Sequence, residues 1–397
     1  MHRANLRTEG CGINLKTAGG GTLRPGFRIG SQPGRWQACP VTEPAAAPIH
    51  SRNTSSRPRV GVIGTGSLGK EHARIYADLD REGVITLAGV FDSNPENAQK
   101  IAAKQGTRCF ASLAEASAEC DALSVVTPTV THHAIAKELL SRGKHVLVEK
   151  PMTHDSAQAA ELVALAQGHK VVLQVGHVER FNPVFQYLRG VATSPRFIET
   201  HRLSPYPARS TDVGVVLDLM IHDLDVVLAF VDSPVVGVDA VGIPVLSSSE
   251  DIANARLRFA NGCVANLTVS RISPERMRKI RVFSGGEAPS YVSLDYRAQE
   301  GFIYRLARGE ESESSLFKKL LASKDSTIVS EFAGKRIVRE PVPILKDEPL
   351  KLELQSFVAC VRERQSPVVS GESAKRALDL AFEITRQINA HPRPPGA

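Results

Sequence analysis

The sequence predicts an α/β chain: a doubly wound parallel sheet comes first, then an α+β domain on a large, mostly antiparallel sheet. Three observations carry this. From Arg59 onward, apolar runs of strand length alternate with helix-length stretches. A glycine turn, Gly64-Thr65-Gly66-Ser67-Leu68-Gly69, separates the first strand from the first helix. After residue 178 the pattern becomes short alternating segments punctuated by Ala260-Asn261-Gly262 and Gly285-Gly286.

In chain order, residues 1–58 are rich in Gly, Pro, Arg and Ser without a sustained apolar period, and are expected to be a disordered basic extension. Strands at Val60–Ile63, Val84–Phe91, Ala122–Val126, His145–Val148 and Val171–Val175 follow. Helices at Ser67–Leu79, Pro95–Gln105, His132–Arg142 and Ser156–Gln167 alternate with them, which makes residues 59–177 a nucleotide-binding domain of the Rossmann type. Residues 178–390 form the second domain and supply the substrate site. A helix at Val213–Val231 opens it, and strands follow at Val235–Val241, Ala253–Phe259, Cys263–Arg271, Lys279–Ser284, Tyr291–Leu294 and Gly301–Leu306. Glu310–Asp325 reads as a loop or exposed helix, and helices at Leu350–Arg364 and Ser373–Asn389 close the chain.

Bulk properties narrow the function classes. A length of 397 residues suits two domains, and 42% hydrophobic with 23% charged residues is a globular composition. Of the net charge of +7, all but about +1 lies in residues 1–58, where eight basic residues face Glu9 and Glu43. The body is therefore near neutral, and nucleic acid is not an expected partner. Six scattered cysteines form no C-x-x-C pair and read as reduced thiols. No apolar run approaches the roughly 20 residues that span a bilayer, and the N-terminus lacks an export pattern, so a cytoplasmic protein is expected.

The glycine turn gives the first chemistry. Gly64 allows the tight turn, Gly66 the approach of backbone to a pyrophosphate, and Gly69 close packing of helix on strand. Thr65, Ser67 and Leu68 complete the turn, and the helix N-terminus offers amides to phosphate. Asp92 ends the next strand, where a carboxylate accepts hydrogen bonds from ribose hydroxyls and repels a 2′-phosphate. Neither Ser93 nor Asn94 brings a compensating cation, which favours NAD over NADP.

Catalytic candidates lie further on. Lys150 follows a buried strand at the carboxyl edge of the sheet, where its ammonium can stabilise a developing alkoxide. Asp218 and His222 are spaced to share a helix face. His222 suits a general base, and Asp218 either orients the imidazole or contacts substrate. His222-Asp223 with Asp225, and His132-His133, have no matching ligand set elsewhere, so no metal is expected. Arg180 is open between binding substrate and pairing with a glutamate. Arg271, Arg276, Arg278 and Lys279 concentrate positive charge suited to a phosphate or diphosphate, or simply form a solvated sheet face.

Taken together, the glycine turn, Thr127-Pro128 with His132, Glu149-Lys150-Pro151 and Asp218-Leu219-Met220-Ile221-His222 resemble the Gfo/Idh/MocA family of oxidoreductases over about residues 59–390. The resemblance implies an NAD-dependent dehydrogenase that oxidises a sugar hydroxyl to a ketone. It adds Thr127, Pro128, His132, Glu149, Lys150 and His177 to the expected cofactor contacts, and Lys150, Arg180, Arg209 and His222 to the substrate contacts. The run from Gly176-His177 through Arg209 to Asp225 resembles a bacterial branch acting on the 3-hydroxyl of UDP-linked N-acetylamino sugars, en route to a modified lipid A. A dehydrogenase of a free polyol such as inositol, or a catalytically silent NAD-dependent sensor, stays open as the alternative. A homo-oligomer is expected, because an open sheet face needs cover.

Overall fold

The computed structural model describes residues 57–206, 213–286, 289–307, 327–332 (backbone only) and 335–390. The N-terminal extension, Arg209 and the Glu310–Asp325 segment therefore fall outside the described residues.

The first sheet is parallel, with β1 (Arg59–Ile63), β2 (Thr86–Phe91), β3 (Ala122–Val125), β4 (His145–Glu149) and β5 (Leu173–Gly176) in the order β2-β1-β3-β4-β5. Its strands are buried on both faces, as apolar runs covered by crossover helices must be. Those helices are α1 (Gly69–Arg81), α2 (Pro95–Gln105), α3 (Leu113–Glu119), α4 (Thr129–Ser141) and α5 (Ser156–His169). The sequence reading missed α3, a short helix capped by the Ser112 side chain on the Glu115 amide at 3.1 Å. It also started α1 two residues early and α4 three residues late. The strand order reverses between β1 and β3, and there a crevice opens at the carboxyl ends.

A 3-10 turn, Val178–Phe181, and α6 (Pro183–Val191) lead into the second sheet. Its strands are β6 (Pro195–Leu203), β7 (Val235–Ile243), β8 (Ile252–Phe259), β9 (Val264–Ser270), β10 (Met277–Ser284), β11 (Ser290–Asp295), β12 (Glu300–Leu306), β13 (Thr327–Phe332) and β14 (Lys335–Pro341). They run in the order β13-β14-β12-β11-β10-β6-β9-β8-β7, with the β6–β9 pair parallel and the others antiparallel. Sequence analysis missed β6, β13, β14 and α6. In β6 the inward positions include the buried polar residues Thr200 and Arg202 beside Ile198, so hydrophobicity does not alternate as a half-buried strand should.

The helix expected at Val213–Val231 is two structures in one. A π-turn, Val216–Met220, runs straight into α7 (Ile221–Val231). Helices α8 (Pro349–Glu363) and α9 (Gly371–Ala390) close the fold. Helix α9 packs on α7 and β7 of the second layer and on α5 of the first, while α8 packs on α1 and the 3-10 turn. The closing helices thus tie both sheets to one core.

Candidate active site

The glycine turn is shaped by contact. Gly64 has φ +92°, and a Cβ there would lie 2.4 Å from the Val126 carbonyl oxygen. A Cβ on Gly69 would lie 1.9 Å from the Gly64 carbonyl oxygen. At Gly66 a Cβ would meet nothing within 4 Å, so the open side of the turn is free for a ligand to approach backbone. No side chain caps α1; its Lys70 and Glu71 amides turn back onto the Gly66 and Leu68 carbonyls at 3.1 and 2.9 Å, so a ligand would meet the amides of the glycine turn that precede them. Asp92 is locked onto the turn: its Oδ2 accepts from the Thr65 amide at 2.7 Å and the Thr65 hydroxyl at 2.9 Å, and its Oδ1 accepts from the Asn94 amide. Burial opposes the charge on Asp92, but these donors outweigh it and hold the carboxyl below its ordinary range. A cavity of about 210 Å³ runs from Gly64, Gly66 and Asp92 to Thr127, Pro128 and Ile135. An acid at one end and an apolar slot at the other suit the adenosine half of a dinucleotide.

Across the molecule, β4 delivers Lys150 to the start of the π-turn. The Lys150 ammonium donates to the Asp218 carbonyl at 2.7 Å and to its carboxylate at 3.2 Å. The π-turn is built by Glu250, whose carboxylate accepts from the Val216 amide at 3.2 Å. Gly214 lies against that carboxylate, 1.9 Å from where its Cβ would be, so a side chain there would displace it. Insertions of this kind recur at functional sites because they re-aim side chains. His222 follows in the first turn of α7 and is half-buried, with its Nδ1 shut from solvent and without a protein partner. Burial, then the charges of Lys150 and Arg202, hold its imidazole well below the usual histidine range. The structure therefore brings Lys150, Asp218 and His222 together, but joins Asp218 to Lys150 rather than to the imidazole.

Models of the family described as "Oxidoreductase family, NAD-binding Rossmann fold" and of its GFO/IDH/MocA C-terminal domain match residues 58–177 and 188–286. The chain is 36% identical to UDP-N-acetylglucosamine 3-dehydrogenase of Acidithiobacillus ferrooxidans over 333 residues, 84% of this chain and 97% of that protein. The chain belongs to the Gfo/Idh/MocA family of oxidoreductases. It is an NAD-dependent dehydrogenase acting on a CH–OH donor. A solved structure of the Acidithiobacillus ferrooxidans enzyme superposes with a TM-score of 0.73 at 36% identity, covering 84% of this chain and 98% of that one. Inositol 2-dehydrogenase of Rhizobium meliloti is 27% identical over 348 residues, 83% of this chain and 96% of that protein.

For a Gfo/Idh/MocA oxidoreductase, several expected site residues turn out to hold structure instead. His132, expected at the cofactor, is 1% exposed, and its ring nitrogens meet the Pro151 carbonyl at 2.9 Å and the Thr127 carbonyl at 2.8 Å. Held neutral by burial, the ring donates from one nitrogen to one of these carbonyls, and it sits sealed between the β3 and β4 loops. Glu149 is also turned inward, accepting from the Lys150 amide and bonding His72 Nε2, each at 3.2 Å. His177 is buried beneath His222, the rings edge to face at 6.3 Å. Arg180, a proposed substrate contact, is buried and committed to Asp225 at 3.4 Å and the Val368 carbonyl at 3.2 Å. Its partner is an aspartate from α7, not the neighbouring glutamate. Arg271 is fully buried on Asp251 and the Val213 carbonyl, each at 2.7 Å, and so anchors the approach to the π-turn rather than a phosphate.

Sequence reasoning also missed the buried network under the site. Arg202 forks onto Asp223 with bonds of 3.1 and 2.9 Å and reaches Glu179 at 3.1 Å. Burial works against its charge, but the two acids prevail and hold it above the ordinary arginine value. Asp223 and Asp225, weighed earlier as metal ligands, thus spend their carboxylates on arginines. The only sequence signal was three acids in eight residues of an otherwise apolar helix.

Proposed function

We propose that this dehydrogenase oxidises the 3-hydroxyl of a UDP-linked N-acetylamino sugar to a ketone, with Lys150, Asp218 and His222 at the reacting centre. The observation that carries the chemistry is the pair formed by Lys150 and Asp218 beside a half-buried, neutral His222. Neutral at pH 7, His222 can accept the hydroxyl proton. The Lys150 ammonium, aimed by the Asp218 carbonyl and carboxylate, hydrogen-bonds the same oxygen and stabilises the charge that develops on it. Bound NAD supplies the hydride acceptor. The glycine turn from Gly64 through Thr65, Gly66, Ser67 and Leu68 to Gly69 would hold it, with Asp92, Thr127 and Pro128.

The full-length relation to UDP-N-acetylglucosamine 3-dehydrogenase supports the substrate. Arg278 on β10 supports it too: among the described residues its exposed guanidinium has a single, 3.9 Å link, to Glu179, and can meet a diphosphate. The ketone would suit an aminotransferase, which extends the reading to a cytoplasmic step toward a modified lipid A. Incubation with NAD and a panel of UDP-linked and free sugars tests the substrate. NADH formation with UDP-N-acetylglucosamine is the expected result. Turnover of inositol but of no UDP-sugar would replace the reading with the polyol alternative, which the Rhizobium meliloti relative favours. The same proposal includes a homo-oligomer through the open face of the second sheet. There Phe197, Phe283, Tyr291 and Tyr304 form a continuous aromatic ladder with centroid steps of 5.6, 4.5 and 5.0 Å. Sedimentation as a monomer at micromolar concentration would end that part.

A further inference from the structure

The turn that carries Asp218 begins without a side-chain cap of its own. Its first amides go instead to one distant residue. The Val215 amide donates to the Glu250 main-chain carbonyl at 3.1 Å, and the Val216 amide to the Glu250 carboxylate at 3.2 Å. Further along, the Ile221 amide reaches back five residues to the Val216 carbonyl, the wide bond of a π-turn. Wound as α-helix, the segment would give that amide to the Leu217 carbonyl instead. Asp218 would then turn by about 100° around the helix axis relative to His222. The Lys150 ammonium would lose the Asp218 carbonyl that it meets at 2.7 Å. A π-turn is rare because α winding is the better-bonded alternative, so a contact from outside the helix has to hold it.

Glu250 is itself held in place by its neighbour. Asp251 is fully buried, and its Oδ2 accepts the Val245, Leu246 and Ser247 amides at 2.7, 2.6 and 2.9 Å. Its Oδ1 accepts from Arg271 Nε at 2.7 Å, while Arg271 Nη1 donates to the Val213 carbonyl at 2.7 Å. The Arg271 amide closes the set on the Asp251 carbonyl at 2.9 Å. Arg271 thus ties the residue before Gly214 to the residue after Glu250. Glu250 is 6% exposed, and Gly214 lies against its carboxylate with no side chain to compete for the space. The loop between β7 and β8 therefore clamps the start of the catalytic turn.

We propose that Glu250 is a positioning residue of this dehydrogenase: from the β7–β8 loop it holds the Asp218 turn in π register, and that register sets the rate of hydride transfer rather than the affinity for either ligand. This rests on the dehydrogenase reading above. Glu250 acts through Asp218 and His222. Its carboxylate serves as a hydrogen-bond acceptor, so the neutral amide of glutamine can replace it. Gly214 is the second half of the device, because a methyl group there would push the carboxylate off the Val216 amide.

Steady-state kinetics of the full chain with NAD and UDP-N-acetylglucosamine test the clamp. Glu250→Ala should lower kcat by about 10²-fold, the cost of misplacing reacting groups by roughly 1 Å, with both KM values nearly unchanged. Gly214→Ala should do the same by a separate route, since its φ lies outside the left-handed region and the backbone tolerates a side chain. Glu250→Gln should keep most of the native rate. The pH profile gives a readout that lost stability alone would not move. After burial, the Lys150 charge on β4 does most to hold His222 down; Arg202 on β6, His177 before the 3-10 turn and Arg278 on β10 also face it. With Lys150 released from the turn, the acid limb of kcat/KM should shift to higher pH in Glu250→Ala and Gly214→Ala, but not in Glu250→Gln. Native kcat in both disrupting variants, an unmoved limb, or a glutamine variant as slow as the alanine one would overturn the proposal. If no sugar is turned over, the functional reading has failed separately. Ring NMR titration of His222 then decides: its midpoint should rise in Glu250→Ala and Gly214→Ala, and unchanged midpoints overturn the clamp.

Discussion

The glycine turn and the Asp218–Asp225 segment are the two motifs on which the proposed chemistry rests, and their geometry is encoded in opposite ways. In the turn, role follows from local backbone: Gly64 and Gly69 touch main-chain carbonyls, and Gly66 faces open space. In the second region, three acids within eight residues have three fates. Asp218 goes to a part-exposed lysine, Asp223 to a buried arginine fork, and Asp225 to a weaker pair beneath a histidine. Spacing alone cannot sort them, because each partner comes from a distant element: β4, β6 and the 3-10 turn. A short motif specifies a site when backbone does the work, and does not when side chains must find partners across the fold.

That contrast can be broken by substitution. The largest effect is expected at the reacting groups. Lys150→Met and His222→Ala should each lower kcat/KM by about 10²–10⁴-fold, the range for a positioned acid–base group, with melting temperature little changed. Asp218→Asn should cost only about tenfold, roughly 1.4 kcal/mol, because the Asp218 carbonyl still holds Lys150. A loss equal to that of Lys150→Met in steady-state kinetics would mean that Asp218 acts on substrate directly.

Next in size is the buried fork. Arg202→Met leaves Asp223 and Glu179 buried without their cation, and urea unfolding should register a loss of about 3–5 kcal/mol. Native stability in that variant would reduce the network to decoration. A smaller and cleaner effect is expected in the turn. Gly66→Ala should weaken NAD binding by about tenfold or more without changing the melting temperature, since its Cβ meets no protein atom. Gly69→Ala should instead lower the melting temperature, and calorimetry with NAD titration separates the two.

The smallest effect is in pH dependence. His132, His177 and His222 are all held below the ordinary imidazole value, chiefly by burial. As pH falls through about 6.5, the unfolded chain takes up protons that the folded chain refuses. Stability should therefore be full above that value and decline below it, and His222→Ala should shallow the decline. By the same shift, the acid limb of kcat/KM should fall below pH 6.5. A limb at or above that value would remove His222 as the base.

Much of the first sheet was legible because each of its five strands is an apolar run bounded by turn residues, and burial on both faces needs no alternation. The second sheet was read well where one face is polar, as in β8 and β9, and poorly in β6. Buried Thr200 and Arg202 occupy inward positions of β6 that a hydrophobic pattern cannot announce. The same limit explains Arg180 and Arg271. A guanidinium in sequence looks like a substrate anchor, and only packing shows that an acid already holds it.

By itself, then, the sequence determined the parallel nucleotide-binding sheet, the glycine turn at its first carboxyl end, Asp92 beside that turn and the lysine at the carboxyl edge. Each depends on residues close in the chain or on strand length and period. Only the tertiary structure decided that Asp218 serves Lys150, that His132 is sealed between two loops, and that Arg180 and Arg202 are interior counter-ions. The physical reason is that a buried charge must find its partner wherever the fold brings one within about 3 Å, and chain order does not record that distance.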